Sequence, residues 1–418
     1  MLAKLKKTSK SMSSKSVRST SRNFTNRVYL DYASSTPISA KSLNAMRRAE
    51  KLIGNPGAIN TEGVEAKRAL EKARTGIAAE IGCKSREIIF TSGITESNNL
   101  AILGFFKKIV SAGRAPKDTR GIHCIVSATE HSSVLECFRE IEKLGGLVTK
   151  VSPNSKGIIS PETIRKALRK ETIFVSIGWA NNEIGIIQPL GSIGLTLRKY
   201  EEENGTKIIL HTDAGQGPLY LPAQVHSLRA DLFSFGASKI YGPHGIGALY
   251  VNNRTELEPI ILGGGQERGL RSGTENIALA VGFAAALSEA ANIREKESKR
   301  IRKLRDKLAE GIIAAIPGAV INGDLRKSLP HMLNISIPRA KSASEYFVLL
   351  LDRAGIAAST KSACDEGERQ ESHVVAALHP DDPSRARNTL RLSLGRDTSV
   401  QDVSRAIFIF RTTWARHQ

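Results

Sequence analysis

The sequence of 418 residues contains few cysteines, four in all, and no uninterrupted apolar run long enough to cross a bilayer. Four cysteines are too few to staple a chain of this size, so we predict a reducing compartment rather than a disulfide-rich secreted protein. Without an apolar run of about 18 residues, we expect no membrane-spanning segment. The composition is 40% hydrophobic and 24% charged, which is typical of a globular protein and excludes a mainly disordered chain.

Acidic residues are absent from the first 30 positions, where eight basic residues lie. The whole chain carries a net charge of +20, so the remaining residues carry +12. We interpret residues 1–27 as a disordered basic tail, because Ser, Lys, Thr and Arg offer almost nothing to bury. The tail could be an organellar transit peptide, an electrostatic arm for RNA or anionic lipid, or an extension without a role. We predict a cytoplasmic protein that requires no nucleic acid, with an organellar location through this tail as the alternative.

From residue 28 onward, short apolar runs alternate with amphipathic segments, as in a series of βαβ units. The predicted strands are 87–90, 124–127, 147–151, 172–177, 207–211, 232–235 and 247–251. We therefore expect an α/β fold with a large domain built on a mostly parallel seven-stranded sheet and covered by helices on both faces.

After residue 273 the pattern changes to a long helical stretch over about 276–315, and a second block of helices and strands follows. We place a domain boundary inside that helix, near residue 290. The prediction is a large domain over 28–290, with 28–39 packing on the small domain, and a smaller α+β C-terminal domain over 291–418.

Lys239 stands in a polar, glycine-rich turn between two strand-like runs. A lysine held at strand ends and away from water can have a lowered pKa, which makes it a nucleophile toward an aldehyde and a general base. Asp213 ends an earlier buried strand, and ligands of open α/β sheets bind at such carboxyl ends. This aspartate could pair with the ring nitrogen of pyridoxal phosphate, or it could cap a helix.

Two further strand ends carry polar residues. One strand runs into Gly93 and then a helix start, where free amides and the Thr95 hydroxyl form a site suited to a phosphate group. His131 follows another strand and could stack on a flat ring or transfer protons, although a lone histidine is more often structural.

Cys364 differs from the other cysteines because it lies in a polar, charged loop. Cys83, Cys124 and Cys137 lie in apolar or helical contexts, and we predict that they are inert core thiols. Exposed thiols are usually functional or selected against, so Cys364 is the candidate nucleophile. A lysine three positions before it favours its thiolate, whereas the two acidic residues after it oppose it.

These features belong to a series of motifs that are spread along the chain in one order. The motifs are Tyr29-Leu-Asp-Tyr32, Gly54-Asn-Pro56, Phe90-Thr-Ser-Gly93, Thr129-Glu-His131, Asn181-Asn-Glu-Ile-Gly185, His211-Thr-Asp213, Lys239-Ile-Tyr-Gly-Pro243, Gly263-Gly-Gly-Gln-Glu-Arg268, Ser362-Ala-Cys364 and Arg391-Leu-Ser-Leu-Gly-Arg396. Together they resemble the cysteine desulfurases, which are class V enzymes of the fold-type I family that uses pyridoxal 5'-phosphate (PLP). The resemblance covers about residues 29–396 and implies the fold-type I architecture.

The resemblance also implies a role for each matching residue. Lys239 binds the aldehyde of PLP and later moves protons, His131 stacks on the ring and assists, and Asp213 pairs with the ring nitrogen. The other cofactor-binding residues that it implies are Ile94, Thr95, Asn182, Gln216, Ser238 and Thr274. Thr274 resembles a residue that a second subunit lends to the phosphate, which implies a homodimer. Asn182 and Arg391 are the implied substrate-binding residues, with Arg391 as the clamp on the carboxylate; no metal is implied.

The activity implied by the resemblance is PLP-dependent removal of sulfur from L-cysteine, which gives L-alanine and a persulfide on Cys364. The sulfur then passes to an acceptor protein, either an iron–sulfur scaffold or a sulfur carrier such as one of tRNA thiolation. The alternatives are a selenocysteine lyase or another class V lyase or aminotransferase, none of which needs a persulfide thiol. A further alternative is a non-catalytic protein that binds pyridoxal or nucleic acid.

Overall fold

A seven-stranded sheet lies at the centre of the molecule in the computed structural model. The structure describes residues 27–113, 121–338, 344–360 and 371–417, without the side chains of residues 344 and 345. The strands of the molecule are β1 (Val28–Tyr29), β2 (Ile88–Thr91), β3 (His123–Ser127), β4 (Leu147–Val151), β5 (Thr172–Ser176), β6 (Ile209–Asp213), β7 (Leu232–Gly236), β8 (Gly247–Val251), β9 (Val320–Ile321), β10 (Met332–Ser336), β11 (Ile356–Ala357) and β12 (Thr389–Ser393). The central sheet has the order β2-β8-β7-β6-β5-β3-β4. All neighbours are parallel except β8, which runs antiparallel to both β2 and β7.

The predicted mostly parallel sheet is confirmed, and each of the seven predicted strands belongs to it. Five of the seven strands have bounds that differ from the prediction by one or two residues, and the largest difference is at β6, which spans Ile209–Asp213 rather than 207–211. The polar residues at its end are accommodated by hydrogen bonds inside the sheet: the ring of His211 lies 2.8 Å from the Ser176 hydroxyl and 3.1 Å from the Ser234 hydroxyl. A polar strand end can therefore be buried when its partners lie on the neighbouring strands.

The helices are α1 (Ala40–Ala49), α2 (Thr61–Ile81), α3 (Ile94–Ser111), α4 (Ser132–Lys143), α5 (Pro161–Ala167), α6 (Leu190–Asn204), α7 (Val225–Leu228), α8 (Ile277–Ala315), α9 (Ser344–Arg353), α10 (His373–Leu378), α11 (Pro383–Arg387) and α12 (Val400–His417). Helices cover both faces of the sheet, because successive strand residues point to opposite sides. Phe174 packs with the cluster of α3 and α4, whereas the next residue, Val175, packs with the larger cluster that includes α2 and α8.

Helix α8 is the one helix in the described ranges that is long and apolar enough to cross a membrane by length and composition alone. The expectation of no membrane-spanning segment considered uninterrupted apolar runs only, and it stays a prediction. In the structure the first half of α8 is a core helix: Phe283 and Leu287 are fully buried, and Gly282 closely approaches Met46 of α1.

The C-terminal part has a three-stranded antiparallel sheet in the order β12-β10-β9. The chain start is attached to this part, since Val28 pairs with Ile356 and Asp31 bridges to Ser393. Helix α8 is continuous across residue 290, with α1 and α2 packed on its first half and α12 packed near Gly311. We propose a domain boundary near residue 290. It separates the half of α8 that packs against α1 and α2 from the half that packs against α12. Residues 1–26 of the predicted tail lie outside the described residues.

Candidate active site

A cavity of about 390 Å³ opens at the carboxyl ends of β3, β5, β6 and β7. Nine residues of the predicted site line it: Ile94, Thr95, His131, Asn182, Asp213, Gln216, Ser238, Lys239 and Arg391. Two predicted residues are not part of this lining. Thr274 is exposed and lies outside the cavity, and Cys364 lies outside the described residues.

Lys239 lies in a short turn that directly follows β7. Its Nζ donates hydrogen bonds to the carbonyl oxygens of Ala33, at 3.0 Å, and Ser34, at 2.5 Å. Two residues further on, Tyr241 has a φ of 64°, which is uncommon for a residue other than glycine. The Thr36 hydroxyl accepts a hydrogen bond from the Tyr241 N–H at 2.8 Å and holds the backbone there. A strained conformation persists only where its surroundings fix it, so the turn gives Lys239 a defined place.

Asp213 presents its carboxylate at the end of β6. Its Oδ2 accepts a hydrogen bond from the Asn98 side-chain amide at 2.7 Å, and its Oδ1 accepts one from the Gly215 N–H at 2.8 Å. The same Asn98 amide also donates to the Ser133 hydroxyl at 2.9 Å. With a donor on each oxygen, the carboxylate has one fixed orientation. Within the described residues, the buried Oδ1 of Asn98 has no hydrogen-bond partner.

His131 is the N-cap of α4, and its Nδ1 accepts a hydrogen bond from the Ser133 N–H at 3.1 Å. A ring nitrogen that accepts a backbone N–H carries no proton itself, so the neutral ring has its proton on Nε2. The Ser133 hydroxyl lies 2.9 Å from the same Nδ1. The cap therefore fixes both the tautomer and the position of the ring.

Glu130 lines the same cavity, and our sequence analysis gave it no role. Its Oε1 accepts a hydrogen bond from the Gly178 N–H at 2.6 Å. Burial, together with the nearby Asp213 charge, raises the pKa of this carboxyl to about 8, although its hydrogen bonds with the Gly178 N–H and Ser127 lower it. A residue in a loop after a strand is usually exposed, so the sequence carried no signal of this burial.

The start of α3 approaches β8 closely at one edge of the cavity. A Cβ on Gly247 would lie 2.7 Å from the Gly93 carbonyl carbon, so a glycine is required there. In the first turn of α3, Glu96 accepts hydrogen bonds from the Ser92 N–H at 2.8 Å and from Arg271 Nε at 2.9 Å. The Arg271 pair attaches the segment that carries the exposed Thr274 to this helix start.

Arg391 comes from β12 and reaches the opposite side of the cavity, where it is 1% exposed. Its guanidinium donates to the Asp31 carboxylate at 2.9 Å, to the Asn182 carbonyl at 3.3 Å and to the Ser34 hydroxyl. Its Nε has no hydrogen-bond partner among the residues that the structure describes. A buried cation with a free donor can receive a further anionic group.

The thiols that the structure describes are Cys83, which is half-buried, and Cys124 and Cys137, which are buried. Burial raises the pKa of Cys83 and of Cys137 to about 12 and raises that of Cys124 still further. Because the thiolate is the reactive form, these three side chains are poor nucleophiles at neutral pH.

Comparisons with known proteins agree with this architecture. A family model described as aminotransferase class-V matches residues 28–406. The chain is 39% identical over 378 residues to cysteine desulfurase IscS of Dictyoglomus turgidum, covering 90% of this chain and 92% of that protein. It is 40% identical over 385 residues to a mitosomal cysteine desulfurase of Encephalitozoon cuniculi, covering 90% of this chain and 84% of that one.

Solved structures show the same similarity. A NifS-like protein superposes with a TM-score of 0.84 at 32% identity, covering 93% of this chain and 100% of that one. A structure described as SspA in complex with cysteine superposes with a TM-score of 0.73 at 33% identity, covering 88% of this chain and 98% of that one. The similarity therefore extends over nearly all of each relative.

Proposed function

The chain belongs to the class-V aminotransferase family and, within it, to the cysteine desulfurases, and we propose that the cavity around Lys239 is where it takes sulfur from L-cysteine. The observation that carries this proposal is the shared cavity. Lys239, Asp213, His131 and Arg391 come from separate segments of the chain and line one space of about 390 Å³. They provide an amine, a carboxylate, an aromatic ring and a carboxylate clamp, which are the groups that the reaction needs.

Pyridoxal 5'-phosphate fits the donor set of this cavity. The Lys239 amine can bind its aldehyde, the Asp213 carboxylate can pair with its ring nitrogen, and the amides at the start of α3 suit its phosphate. The other residues that would hold it are Ile94, Thr95, His131, Asn182, Gln216 and Ser238. Asn98, whose amide donates to Asp213, also has a buried Oδ1 without a hydrogen-bond partner among the described residues. When bound, the cofactor supplies an electron sink for a carbanion at the substrate Cα.

The side chains of the protein then orient the substrate and move its protons. Arg391 holds the substrate carboxylate, with Asn182 beside it, and the 2.9 Å pair with Asp31 keeps the guanidinium in place. Lys239 Nζ would remove the Cα proton and later return a proton, since it is the amine that lines the cavity. His131 would stack against the cofactor ring and assist the proton transfer through its Nε2–H.

The sulfur step requires a thiolate, and we assign it to Cys364. The thiolate attacks the substrate sulfur, the Cβ–S bond breaks, and its electron pair stays on the substrate carbon. That carbon takes up a proton and leaves as L-alanine, while the sulfur remains on Cys364 as a persulfide. The raised pKa values of the three described thiols support this assignment.

The acceptor, the assembly and the location are further parts of the proposal. The persulfide passes by thiol exchange to an iron–sulfur scaffold or another sulfur carrier, which the IscS names of the relatives support. The chain forms a homodimer in which the exposed Thr274 of one subunit reaches the phosphate held by the other. We propose a cytoplasmic location, and the mitosomal relative supports the organellar alternative.

The test is to supply the PLP-loaded protein with L-cysteine and to measure alanine and sulfide in the presence of a thiol reductant. The wild type should form both products in equal amounts, whereas Lys239→Ala and Cys364→Ala should form neither. A selenocysteine lyase without a persulfide thiol predicts instead that Cys364→Ala keeps its turnover. Equal output from all three proteins would contradict the proposal.

A further inference from the structure

We call residues 359–372 the Cys364 segment. Its last residue, Ser372, is hydrogen-bonded beside the active-site cavity. Ser372 is 2% exposed, and its hydroxyl donates a hydrogen bond of 2.5 Å to the Glu183 carboxylate. Glu183 is fully buried and directly follows Asn182, which lines the cavity. Ser372 is therefore joined by one hydrogen bond to the direct neighbour of a residue that lines the cavity.

A second contact lies one residue further along the chain. His373 Nε2 is 2.9 Å from the carbonyl oxygen of Glu130, which is the neighbour of His131. At the other end of the segment, Ser359 exchanges backbone hydrogen bonds with Arg391 at 3.2 and 2.7 Å. Both ends of the Cys364 segment thus meet residues of the cavity or their direct neighbours.

The Ser372–Glu183 contact is not needed to form or to attach α10. The same Ser372 hydroxyl already caps the helix by accepting the Val375 N–H at 3.1 Å. An apolar cluster packs the helix against the 184–186 stretch: Ile184, Ile186, Val374, Val375 and Leu378. These two interactions satisfy the helix end and bury its apolar face.

Glu183 is a costly residue at such a place. One of its carboxyl oxygens accepts from Ser372, and the other has no hydrogen-bond partner within the described ranges. Burying a carboxyl group with so few hydrogen-bond partners is destabilising, and an apolar side chain would avoid that cost. The carboxylate of Glu183 instead orients Ser372, because the hydrogen bond fixes where the Ser372 hydroxyl lies relative to Asn182.

We propose that the Ser372–Glu183 hydrogen bond is a positioning element of sulfur transfer. It sets where the Cys364 segment joins the active-site wall, and so it acts on the attack of the thiolate rather than on cofactor binding or proton removal. Ser372 and Glu183 are positioning residues in this account. The inference rests on the proposed role of Cys364 as the persulfide thiol.

The experiment compares two substrates of the PLP-loaded enzyme. L-cysteine needs the thiolate, because its sulfur must be accepted by Cys364. L-cysteine sulfinate does not, because its sulfur leaves as sulfur dioxide, which hydrates to sulfite, while the electron pair of the Cβ–S bond stays on the carbon. Both substrates give alanine, so one assay measures both reactions.

We expect Ser372→Ala to lower kcat for L-cysteine by about tenfold or more, since a small misplacement of a reacting group can cost about 100-fold. Alanine formation from the sulfinate and the absorbance of the bound cofactor should stay near wild type. Ser372→Thr keeps a hydroxyl and should restore most of the L-cysteine activity. The matched control is Ser160→Ala, which removes the N-cap hydroxyl of α5 at a serine outside the cavity and should leave both reactions unchanged.

Equal losses with both substrates would assign Ser372 a purely structural role, and no loss with either would remove it from the reaction. If Ser372→Ala does not fold, Glu183→Gln provides the same substrate ratio, because it keeps an acceptor and weakens the bond by removing its charge. Failure of the proposed function gives a different result, namely L-cysteine turnover by Cys364→Ala. With Cys364→Ala inactive and Ser372→Ala equal to wild type, only this inference is overturned.

Discussion

The two reactive segments of the protein are held in different ways. Lys239 follows β7, which is paired on both sides in the central sheet, by β6 and by β8. In its turn Tyr241 has a positive φ, and the Tyr241 N–H donates a hydrogen bond to the Thr36 hydroxyl. The Cys364 segment has no such frame in its described flanks, where Ser359 and Ser372 are bonded to β12 and to Glu183.

The difference follows from what each side chain has to reach. In the proposed reaction the lysine acts at a cofactor that stays in one place, so a continuous sheet and a strained turn suit it. In the same proposal the cysteine has to meet the substrate sulfur and then an acceptor outside the cavity. Attachment of both described flanks of its segment beside the cavity suits the first of these tasks.

The largest effects are expected when each reactive group is removed and alanine formation is measured from both L-cysteine and L-cysteine sulfinate. Lys239→Ala should abolish alanine formation from both substrates, by about 1000-fold or more, because every proton transfer at Cα depends on it. Cys364→Ala should abolish it from L-cysteine alone. Single-turnover alanine measurements with each loaded variant provide the check, and a loss of both activities in Cys364→Ala would contradict the division of roles.

Much of the first segment could be predicted from the sequence. The strands around Lys239 and Asp213 are short apolar runs, and residues at the carboxyl ends of neighbouring parallel strands meet at one edge of a sheet. Once the strands were placed, Lys239, Asp213 and His131 were expected close together, and the structure brings them into one cavity.

The contacts around the second segment could not be predicted in this way. Glu130 and Glu183 stand in loops after strands, where a carboxylate is normally solvated. Glu183 accepts a hydrogen bond from Ser372 and the Glu130 carbonyl lies 2.9 Å from His373, and both partners are about 200 residues away in the sequence, so no periodicity within the loops encodes these contacts. The attachment of the chain start to β11 and β12 is of the same kind, because it joins residues more than 300 positions apart.

The next largest effect is expected at Glu130, which lines the cavity and whose carbonyl oxygen lies 2.9 Å from His373 Nε2. The raised pKa of about 8 keeps this carboxyl neutral in the folded protein below pH 8, whereas the unfolded chain ionises it near its ordinary pKa of 4.5. Stability conferred at low pH is therefore lost as the pH rises from about 5 to about 8, by up to about 1.4 kcal/mol per pH unit. Glu130→Gln mimics the neutral form and should remove this slope.

Thermal unfolding of wild type and Glu130→Gln across pH 5–9 measures the effect. The advantage of the variant should grow with pH and level off above about 8, reaching a few kcal/mol. The neighbouring groups that also titrate or carry charge are Asp213, His131 and His373. Glu142→Gln on the exposed face of α4 is the matched control, and a parallel pair of curves for wild type and Glu130→Gln would show that Glu130 is ionised in the folded protein.

A smaller effect is expected at Arg391. It contacts Ser34, whose carbonyl oxygen accepts from Lys239, and it also contacts Ser359 at the start of the Cys364 segment. Its guanidinium contacts Asp31, Ser34 and the Asn182 carbonyl at once, and a lysine ammonium cannot reproduce that fork. Arg391→Lys should raise KM for L-cysteine by about 10- to 100-fold, or about 1.4–2.8 kcal/mol, with a smaller change in kcat. Steady-state kinetics with both substrates tests this, because a carboxylate clamp predicts equal KM increases for the cysteine and the sulfinate.

The smallest effect is expected at the buried thiols, which are the counterpart of Cys364. Cys83→Ala and Cys137→Ala should leave L-cysteine turnover within about twofold, since thiols whose pKa is near 12 are almost fully protonated at pH 7.5. Each should cost about 1 kcal/mol or less of stability, because the side chains are small and packed. Brief alkylation at pH 7.5 followed by peptide mapping should label Cys364 first, with turnover lost in step. Labelling of Cys83 in step with the loss of turnover would instead place a second reactive thiol on the path of the sulfur.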